Sequence, residues 1–277
     1  MDYRQFFSLQ YISLIINECR MLLSTAPKIK PVKHTIDGES FFAVREFDRT
    51  SGKRICELRC TTPKGKELYD KYLYYHSVEN KLKEYTDLWY KKTNQPIPTI
   101  LSEKIMQYKT YDYSNLNTAF YQQLECQTGR LKYNRTRNAI CDDVAMASKI
   151  EVIVAKIIEQ LDLNYKYEAK IYINNYEKLS DFFICIPLVN RCFPVEVLGF
   201  FDDINYLHKF ERDIGNYIQS GYMFGKNLLL LGENSKHKVD TENIAREICD
   251  FINRLVAATI KACDNGFTQL ENINKFP

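Results

Sequence analysis

Glycine, proline and long apolar runs are all scarce in this sequence. Its 277 residues include only 10 Gly and 8 Pro, so little of the chain has the composition of a flexible linker. No apolar run approaches the roughly 18 residues that a membrane-spanning helix needs. Arg4 and Glu18 interrupt the apolar N-terminal stretch, which is therefore not typical of a signal peptide. We expect a globular protein without a membrane partner.

Cysteine and histidine lack the spacing of familiar metal or catalytic sites. The nine cysteines are odd in number and follow no repeat, which favours reduced thiols in the cytoplasm over a disulfide framework. Cys56 and Cys60 would share a strand face, but no second Cys or His pair completes a zinc site. The four histidines fit no recurrent triad, and the sequence contains neither a P-loop nor a dinucleotide-binding glycine motif.

The two halves of the chain carry opposite net charge. Residues 1–147 contain 23 Lys and Arg against 17 Asp and Glu, a balance of +6. Residues 148–277 contain 15 against 18, a balance of −3. This division is typical of a protein that binds a polyanion with one part and holds cations with another.

Within the basic half, the segment 129–138 places four basic residues around Tyr133. Such an arrangement could contact a nucleic-acid backbone, and a solvated connector is the ordinary alternative. The candidate nucleic-acid contacts are Arg130, Lys132, Arg135 and Arg137.

The first half of the chain has the periodicity of helices and one hairpin. The predicted elements are a helix over 4–24, a break at 27–33, hairpin strands over 40–47 and 53–60, and a long amphipathic helix over 61–90. We therefore expect a mainly helical N-terminal domain with a β-hairpin over residues 1–145, which is also the part expected to bind nucleic acid.

From residue 146 the pattern changes to alternating helices and strands. The predicted order is helix, three strands, helix, strand and helix, over 148–161, 165–173, 181–187, 193–201, 204–220, 225–233 and 241–262. This order predicts an α/β domain over residues 146–277, with a central mixed β-sheet flanked by helices.

Each of the three successive strands carries one acidic residue. Glu168, Asp181 and Glu196 adjoin apolar residues, and side chains alternate between the two faces of a sheet. Two carboxylates on adjacent strands can converge on one Mg²⁺, which prefers hard oxygen ligands. A metal held in this way lowers the pKa of a bound water and offsets the charge of a phosphodiester in its transition state. Isolated acids that point into solvent from an edge strand are the alternative.

Five short motifs resemble, in order, the PD-(D/E)XK nuclease superfamily, and in particular uncharacterised bacterial members of the Firmicutes type. The motifs are SKIEVIVA (148–155), YKYE (165–168), SDFFI (180–184), EVLG (196–199) and DDINY (202–206). The following GYMFGKNLLLL (221–231) is similar to a further motif of that group. The N-terminal half matches the group only in outline. The resemblance implies a restriction-endonuclease-like core.

The same resemblance implies a role for each acid. Asp181 and Glu196 would be the principal ligands of Mg²⁺ or Mn²⁺. Glu151, on the preceding helix, would be a third ligand that binds the metal directly or through water. Glu168 would be a supporting catalytic acid at the same edge of the sheet.

One position departs from the superfamily pattern. The usual lysine lies two residues after the second acid, where it orients the water and offsets developing charge, and Leu198 occupies that position here. In the bacterial group the lysine lies on the next helix, at the position of Asp213. Lys209, one helical turn before Asp213, and Lys170, two residues past Glu168, are therefore the candidate catalytic cations.

These features predict a Mg²⁺-dependent endonuclease, a hydrolase of DNA phosphodiester bonds, with DNA favoured over RNA as its partner. The first alternative is a catalytically impaired nucleic-acid-binding or regulatory protein on the same fold, because the usual lysine is missing. The second is a protein-interaction factor, such as an inhibitor encoded by a mobile element. A homodimer is left open.

Overall fold

The computed structural model describes residues 1–36, 38–98, 116–126, 139–141, 144–174, 176–198, 204–232 and 239–264. The chain divides into two compact units, one formed by Ile12–Ser102 and the other by Met1–Tyr11 with Glu103–Pro277. The sequence suggests a boundary between residues 145 and 146, and that assignment of domains stays a prediction. None of the helices in the described ranges combines the length and the apolar character needed to cross a membrane.

The unit Ile12–Ser102 contains a three-stranded antiparallel sheet. The sheet follows helix α1 (Leu9–Thr25), and its strands are β1 (Lys28–Ile36), β2 (Glu39–Phe47) and β3 (Arg54–Arg59), with β2 in the centre. Helix α2 (Pro63–Lys92) comes next. Thr62 caps α2, since its side chain accepts a hydrogen bond from the Gly65 N–H.

The predicted hairpin is part of this larger sheet. The sequence predicts strands β2 and β3, whereas β1 forms where we expected only a break after the first helix. Lysine and proline are depleted in strands, so this segment does not have an ordinary strand pattern. Pro31 is tolerated because β1 is an edge strand, where a missing backbone N–H need not interrupt a ladder.

The other unit is built on a four-stranded mixed sheet, and the predicted order of elements is observed. Its first elements are α3 (Thr118–Gln123), β4 (Ala139–Cys141) and β5 (Val144–Met146). The core elements are α4 (Lys149–Gln160), β6 (Asn164–Ile173), β7 (Tyr176–Ile186), β8 (Arg191–Leu198), α5 (Ile204–Gln219), β9 (Leu229–Gly232) and α6 (Thr241–Asp264). Strands β6, β7 and β8 are antiparallel, and β9 is parallel to β8. The chain is therefore mixed α/β with a central mixed sheet.

Helices cover both faces of the mixed sheet. On one face, Phe193 of β8 packs against Phe251 of α6, with ring centroids 4.5 Å apart. On the other face, Tyr217 of α5 lies in a buried cluster with residues of three strands. The other members of this cluster are Ala169, Ile171, Ile173, Phe183, Cys185, Cys192, Tyr222 and Leu228.

The N-terminal residues belong to this unit because they are tied to its last helix. The Tyr3 hydroxyl donates to Thr241 Oγ1 over 2.8 Å. The Ser8 N–H donates to Asn253 Oδ1 over 2.8 Å, and Asn253 Nδ2 donates to the Phe6 carbonyl over 3.0 Å. These hydrogen bonds hold the first turn of the chain against α6.

Strand β6 contains a kink at Glu168, where its side-chain alternation changes phase. Tyr167 donates a hydrogen bond to Glu151 of α4, whereas Ala169, two residues later, packs in the cluster beneath α5. Between them, Glu168 has a left-handed φ of 47°. A non-glycine residue keeps this conformation only where its surroundings impose it. The β6–β7 ladder continues on either side, and Asp181 of β7 is the residue opposite the kink.

Candidate metal centre

Asp181 and Glu196 lie next to each other on the two central strands of the mixed sheet. The β7–β8 ladder ends with Phe182 opposite Val195, so Asp181 and Glu196 are the next residue on each strand. Asp181 Oδ2 accepts a hydrogen bond from the Val197 N–H over 2.7 Å, which ties Asp181 to β8. The fold therefore brings together the two acids that were expected to be principal metal ligands.

These carboxylates line a cavity of about 270 Å³ between the sheet and α5. Leu198, at the position of the usual lysine, is part of its apolar wall. Among the described residues, four carboxylates and one ammonium form its charged lining, those of Glu151, Asp181, Glu196, Asp213 and Lys178. Because carboxylates outnumber the ammonium, the cavity favours a bound cation.

Lys178 of β7 brings an ammonium group into the cavity. Its Nζ lies 3.1 Å from Asp213 Oδ2 and 3.7 Å from Glu196 Oε2. Burial lowers the pKa of Lys178, but the carboxylates of Glu196 and Asp213 outweigh burial and raise the pKa on balance. Lys178 is therefore a fixed ammonium at neutral pH rather than a proton acceptor.

Burial and like charge act together on the two acids. Burial raises the pKa of Asp181 well above its ordinary value, and the carboxylates of Glu196 and Glu151 raise it further. Burial also raises the pKa of Glu196, against the opposing effects of Lys178 and of the Tyr217 hydroxyl. A cation that bound here would relieve the repulsion that raises these pKa values.

Tyr217 orients Glu196 from α5. Its hydroxyl donates to Glu196 Oε1 over 2.5 Å, while Lys178 lies beside Oε2. Burial raises the pKa of Tyr217, and the Glu196 charge raises it further, so the hydroxyl keeps its proton and remains a donor.

Glu151 lines the cavity and also caps its own helix. Its Oε1 accepts from the Ser148 hydroxyl over 2.8 Å, and Ser148 is the N-cap of α4. Its Oε2 accepts from the Ala147 N–H over 3.1 Å and from the Tyr167 hydroxyl over 2.5 Å. Both oxygens already accept hydrogen bonds, and the expected role of Glu151 as a third metal ligand stays a prediction.

Two residues expected to be catalytic do not line the described part of the acidic cavity, and their catalytic roles stay predictions. Lys170 lines a separate cavity of about 520 Å³, where its Nζ lies 3.3 Å from Glu125 Oε2. Glu168 is not among the described residues that line the acidic cavity, and its backbone forms the kink of β6. The structure therefore places Lys178, and not Lys170, beside the paired acids.

Five other candidates lie outside the described residues. Lys209 is on α5, one turn before Asp213, but its side chain is outside the described part of the chain. The four candidate nucleic-acid contacts are entirely outside it: Arg130, Lys132, Arg135 and Arg137. Their roles stay predictions.

Sequence reasoning missed Lys178 because it placed the strand boundary too late. The apolar run that predicts this strand begins at Asp181, which leaves Lys178 in a connector, whereas β7 begins at Tyr176. The identity of residue 213, an aspartate, could have indicated that a lysine such as Lys178 lies nearby. The resemblance implies a lysine at this position, and an acid there suggests that a cation approaches the site from another element.

The chain matches no family model. No curated protein and no solved structure is significantly similar to it. Any functional conclusion about this chain must therefore be argued from its own residues and their geometry.

The donor set of the cavity fits a hard divalent cation. Among the described residues, no group of three or more His, Cys, Asp or Glu side chains is arranged to hold a metal ion. Asp181 and Glu196 still offer two carboxylates, and Mg²⁺ is commonly bound by one or two carboxylates together with waters and substrate phosphates. These two residues would hold the ion, and Lys178 would remain beside it.

Proposed function

We propose that the chain is a metal-dependent nuclease that hydrolyses DNA phosphodiester bonds. The observation that carries this proposal is the convergence of Asp181, Glu196 and Lys178 in one cavity. Two acids and one fixed ammonium beside each other match the needs of phosphodiester hydrolysis, which must accommodate negative charge developing on the phosphate. The ordered motifs that resemble the PD-(D/E)XK superfamily support the same function and a restriction-endonuclease-like core.

The residues of the cavity take distinct roles in this proposal. Asp181 and Glu196 would hold Mg²⁺ or Mn²⁺, which when bound would supply a water of lowered pKa and Lewis acidity toward the phosphate. Lys178 takes the role of the usual lysine, since its ammonium can orient the attacking water and offset charge on the scissile phosphate. Asp213 and Tyr217 position Lys178 and Glu196 from α5.

A second candidate function is nucleic-acid binding without turnover. The observation that favours it is that Lys178 already lies near two carboxylates, Glu196 and Asp213, which offset its charge. Leu198 also leaves the usual lysine position apolar. The two functions differ in one property, which is whether DNA is cut.

Cleavage of labelled DNA tests the proposal. Purified protein is incubated with single- and double-stranded DNA and RNA of one sequence, in millimolar Mg²⁺, Mn²⁺ or EDTA. We expect cleavage of DNA with either metal and none in EDTA. Glu196→Gln should abolish it, and Lys178→Met should lower its rate by about 10²–10³-fold, the usual effect of losing one transition-state charge partner.

Two matched variants control for general effects of lost charge. Glu177→Gln removes an exposed carboxylate from β7, the strand that carries Lys178. Lys170→Met removes a lysine that lies outside the acidic cavity. Both should cleave at the wild-type rate. If the wild type binds DNA but cuts it with neither metal, the nuclease proposal fails and the binding function replaces it.

A further inference from the structure

One face of the sheet in the unit Ile12–Ser102 collects basic side chains. In the strand register, Lys30 lies opposite Arg45, and Arg45 lies opposite Glu57. Residues at alternate positions share a face, so the register assigns a common set to it. We call it the basic sheet face; its acidic, lysine and arginine residues are Lys28, Lys30, Glu39, Arg45, Arg54, Glu57 and Arg59.

Side-chain contacts support this assignment. The His34 ring stacks on Phe41 at a centroid distance of 5.1 Å, and the Arg59 guanidinium lies 4.4 Å from the centroid of the same ring. Glu57 lies within 2.9 Å of the nearest side-chain nitrogens of Arg45 and Arg54. These contacts join all three strands across one face.

The basic sheet face is turned away from α2. Val44, on the opposite face, is fully buried, whereas the only described residue of the basic sheet face that is equally buried is the small Ala43. Within α2, Glu67 raises the pKa of Lys71. Glu46 of β2, which shares the opposite face with Val44, raises the same pKa further, so its carboxylate lies near the helix. The opposite face is therefore the one beside α2. On the basic sheet face, Lys28 and Lys30 are exposed to solvent.

The charge of this face is strongly positive. It holds five cations, Lys28, Lys30, Arg45, Arg54 and Arg59, against two carboxylates. Glu57 pairs with Arg45 and Arg54. In the described ranges, no carboxylate lies within ion-pair distance of Lys28 or Lys30, so these two ammonium groups are available to an anionic partner.

The sheet also fixes the backbone positions of the cations. They are on strands, where side chains of one face recur about every 6.8 Å along the chain, and Arg59 is fixed against the Phe41 ring. Strand-borne groups lose less conformational freedom on binding than groups on loops do. A row of fixed positive charges is complementary to a regularly charged polyanion.

We infer that the basic sheet face binds the phosphate backbone of nucleic acid. The choice of nucleic acid among polyanions rests on the proposed function, whereas the charge complementarity rests on the sheet alone. Contacts of this kind fix the position of the nucleic acid and carry no sequence information. Binding at this face should therefore depend steeply on salt and little on sequence.

The test compares two triple variants of the full chain that lose the same charge. Lys28→Gln, Lys30→Gln and Arg59→Gln alter the basic sheet face. The control, Lys64→Gln, Lys83→Gln and Lys91→Gln, alters exposed lysines of α2. Binding of a fluorescent 20-base-pair DNA is measured by anisotropy in EDTA over a range of salt concentrations, so that binding is observed without turnover.

The sheet triple variant should bind at least about tenfold more weakly at low salt. The plot of log affinity against log salt concentration should become less steep by about 2–3 units, because each of the three lost phosphate contacts contributes about 0.9 to the slope. The control triple variant should lose less than one unit. If the sheet triple variant does not fold by circular dichroism, the pair Lys28→Gln and Lys30→Gln replaces it, with about two units of slope lost.

Equal losses in both triple variants would overturn the inference, because they would show a general effect of net charge. The inference also fails if the sheet triple variant binds DNA normally but no longer binds vesicles of phosphatidylcholine and phosphatidylserine, because the face would then bind anionic lipid rather than nucleic acid. The outcomes separate this inference from the proposed nuclease. If the wild type cuts DNA with metal but the sheet triple variant binds DNA as the wild type does, only the inference is rejected. If the sheet triple variant alone loses binding but the wild type never cuts DNA, only the nuclease proposal is rejected.

Discussion

At the scale of single residues, Asp181 shows how the candidate site affects folding. Burial and the charge of Glu196 raise its pKa above the ordinary 3.8, so the folded chain holds this proton more tightly than the unfolded chain does. The stability that this proton contributes is complete below pH 3.8 and is lost as the pH rises through the raised pKa. Without metal, Asp181 therefore contributes less stability to the fold at neutral pH than at low pH.

Replacing Asp181 by Asn should remove this penalty. The amide oxygen can still accept from the Val197 N–H, so the contact with β8 remains. In EDTA, we expect the Tm of Asp181→Asn to exceed that of the wild type by at least about 3 °C at pH 8, since 1 kcal/mol shifts the Tm of a chain of this size by about 2–4 °C. The difference should shrink toward pH 4. Parallel Tm profiles from pH 4 to 8 would contradict this account.

The acids and the lysine differ in how far the sequence predicts them. Asp181 and Glu196 each adjoin an apolar strand, so alternation and the order of strands were enough to bring them together. Lys178 could not be found in the same way, because the residues from Tyr176 to Ser180 are not an apolar run. Its place in the site depends on the length of β7 and on the position of Asp213 across the cavity.

At the scale of elements, strand β6 is kinked because the backbone of Glu168 is left-handed. A left-handed conformation costs a non-glycine residue roughly 1–2 kcal/mol. We therefore expect Glu168→Gly to raise the free energy of unfolding by about 1 kcal/mol, measured by urea denaturation. Cleavage by Glu168→Gly should stay within about threefold of the wild type, because Glu168 does not line the described part of the acidic cavity.

Glu177→Gly is the matched control for this change, because Glu177 is an exposed strand residue whose φ is not left-handed. There, glycine should destabilise the fold by about 0.5–1 kcal/mol. A large loss of cleavage in both Glu168→Gly and Glu168→Gln would instead support the original hypothesis that Glu168 is a supporting catalytic acid.

Periodicity predicted most of the elements but not all of their details. The long helix expected over 61–90 is observed as Pro63–Lys92, and its cap at Thr62 is confirmed. Strand β1 was missed because its lysines and Pro31 are unusual in strands, although an edge strand accepts them. The kink at Glu168 has no sequence signature, because the residue with the left-handed φ is not a glycine.

At the scale of the whole molecule, the charge asymmetry of the sequence corresponds to different surfaces in the two units. The unit Ile12–Ser102 contains 16 Lys and Arg against 11 Asp and Glu, a balance of +5, and it carries the basic sheet face. The other unit contains the acidic cavity. The division of charge is visible in the sequence, and the candidate nucleic-acid contacts at 130–137 stay a prediction. The basic sheet face was not foreseen, because β1 was not expected to exist.

The central claim is that Asp181 and Glu196 bind a divalent cation beside Lys178. Titration calorimetry with Mn²⁺ tests it directly on the wild type, Asp181→Asn, Glu196→Gln and the control Glu177→Gln. We predict one Mn²⁺ per chain for the wild type and the control, and at least about tenfold weaker binding for each of the other two, since each loses one of two carboxylate ligands. Either of two results would contradict the account: no Mn²⁺ binding by the wild type at millimolar concentration, or equal binding by all four proteins.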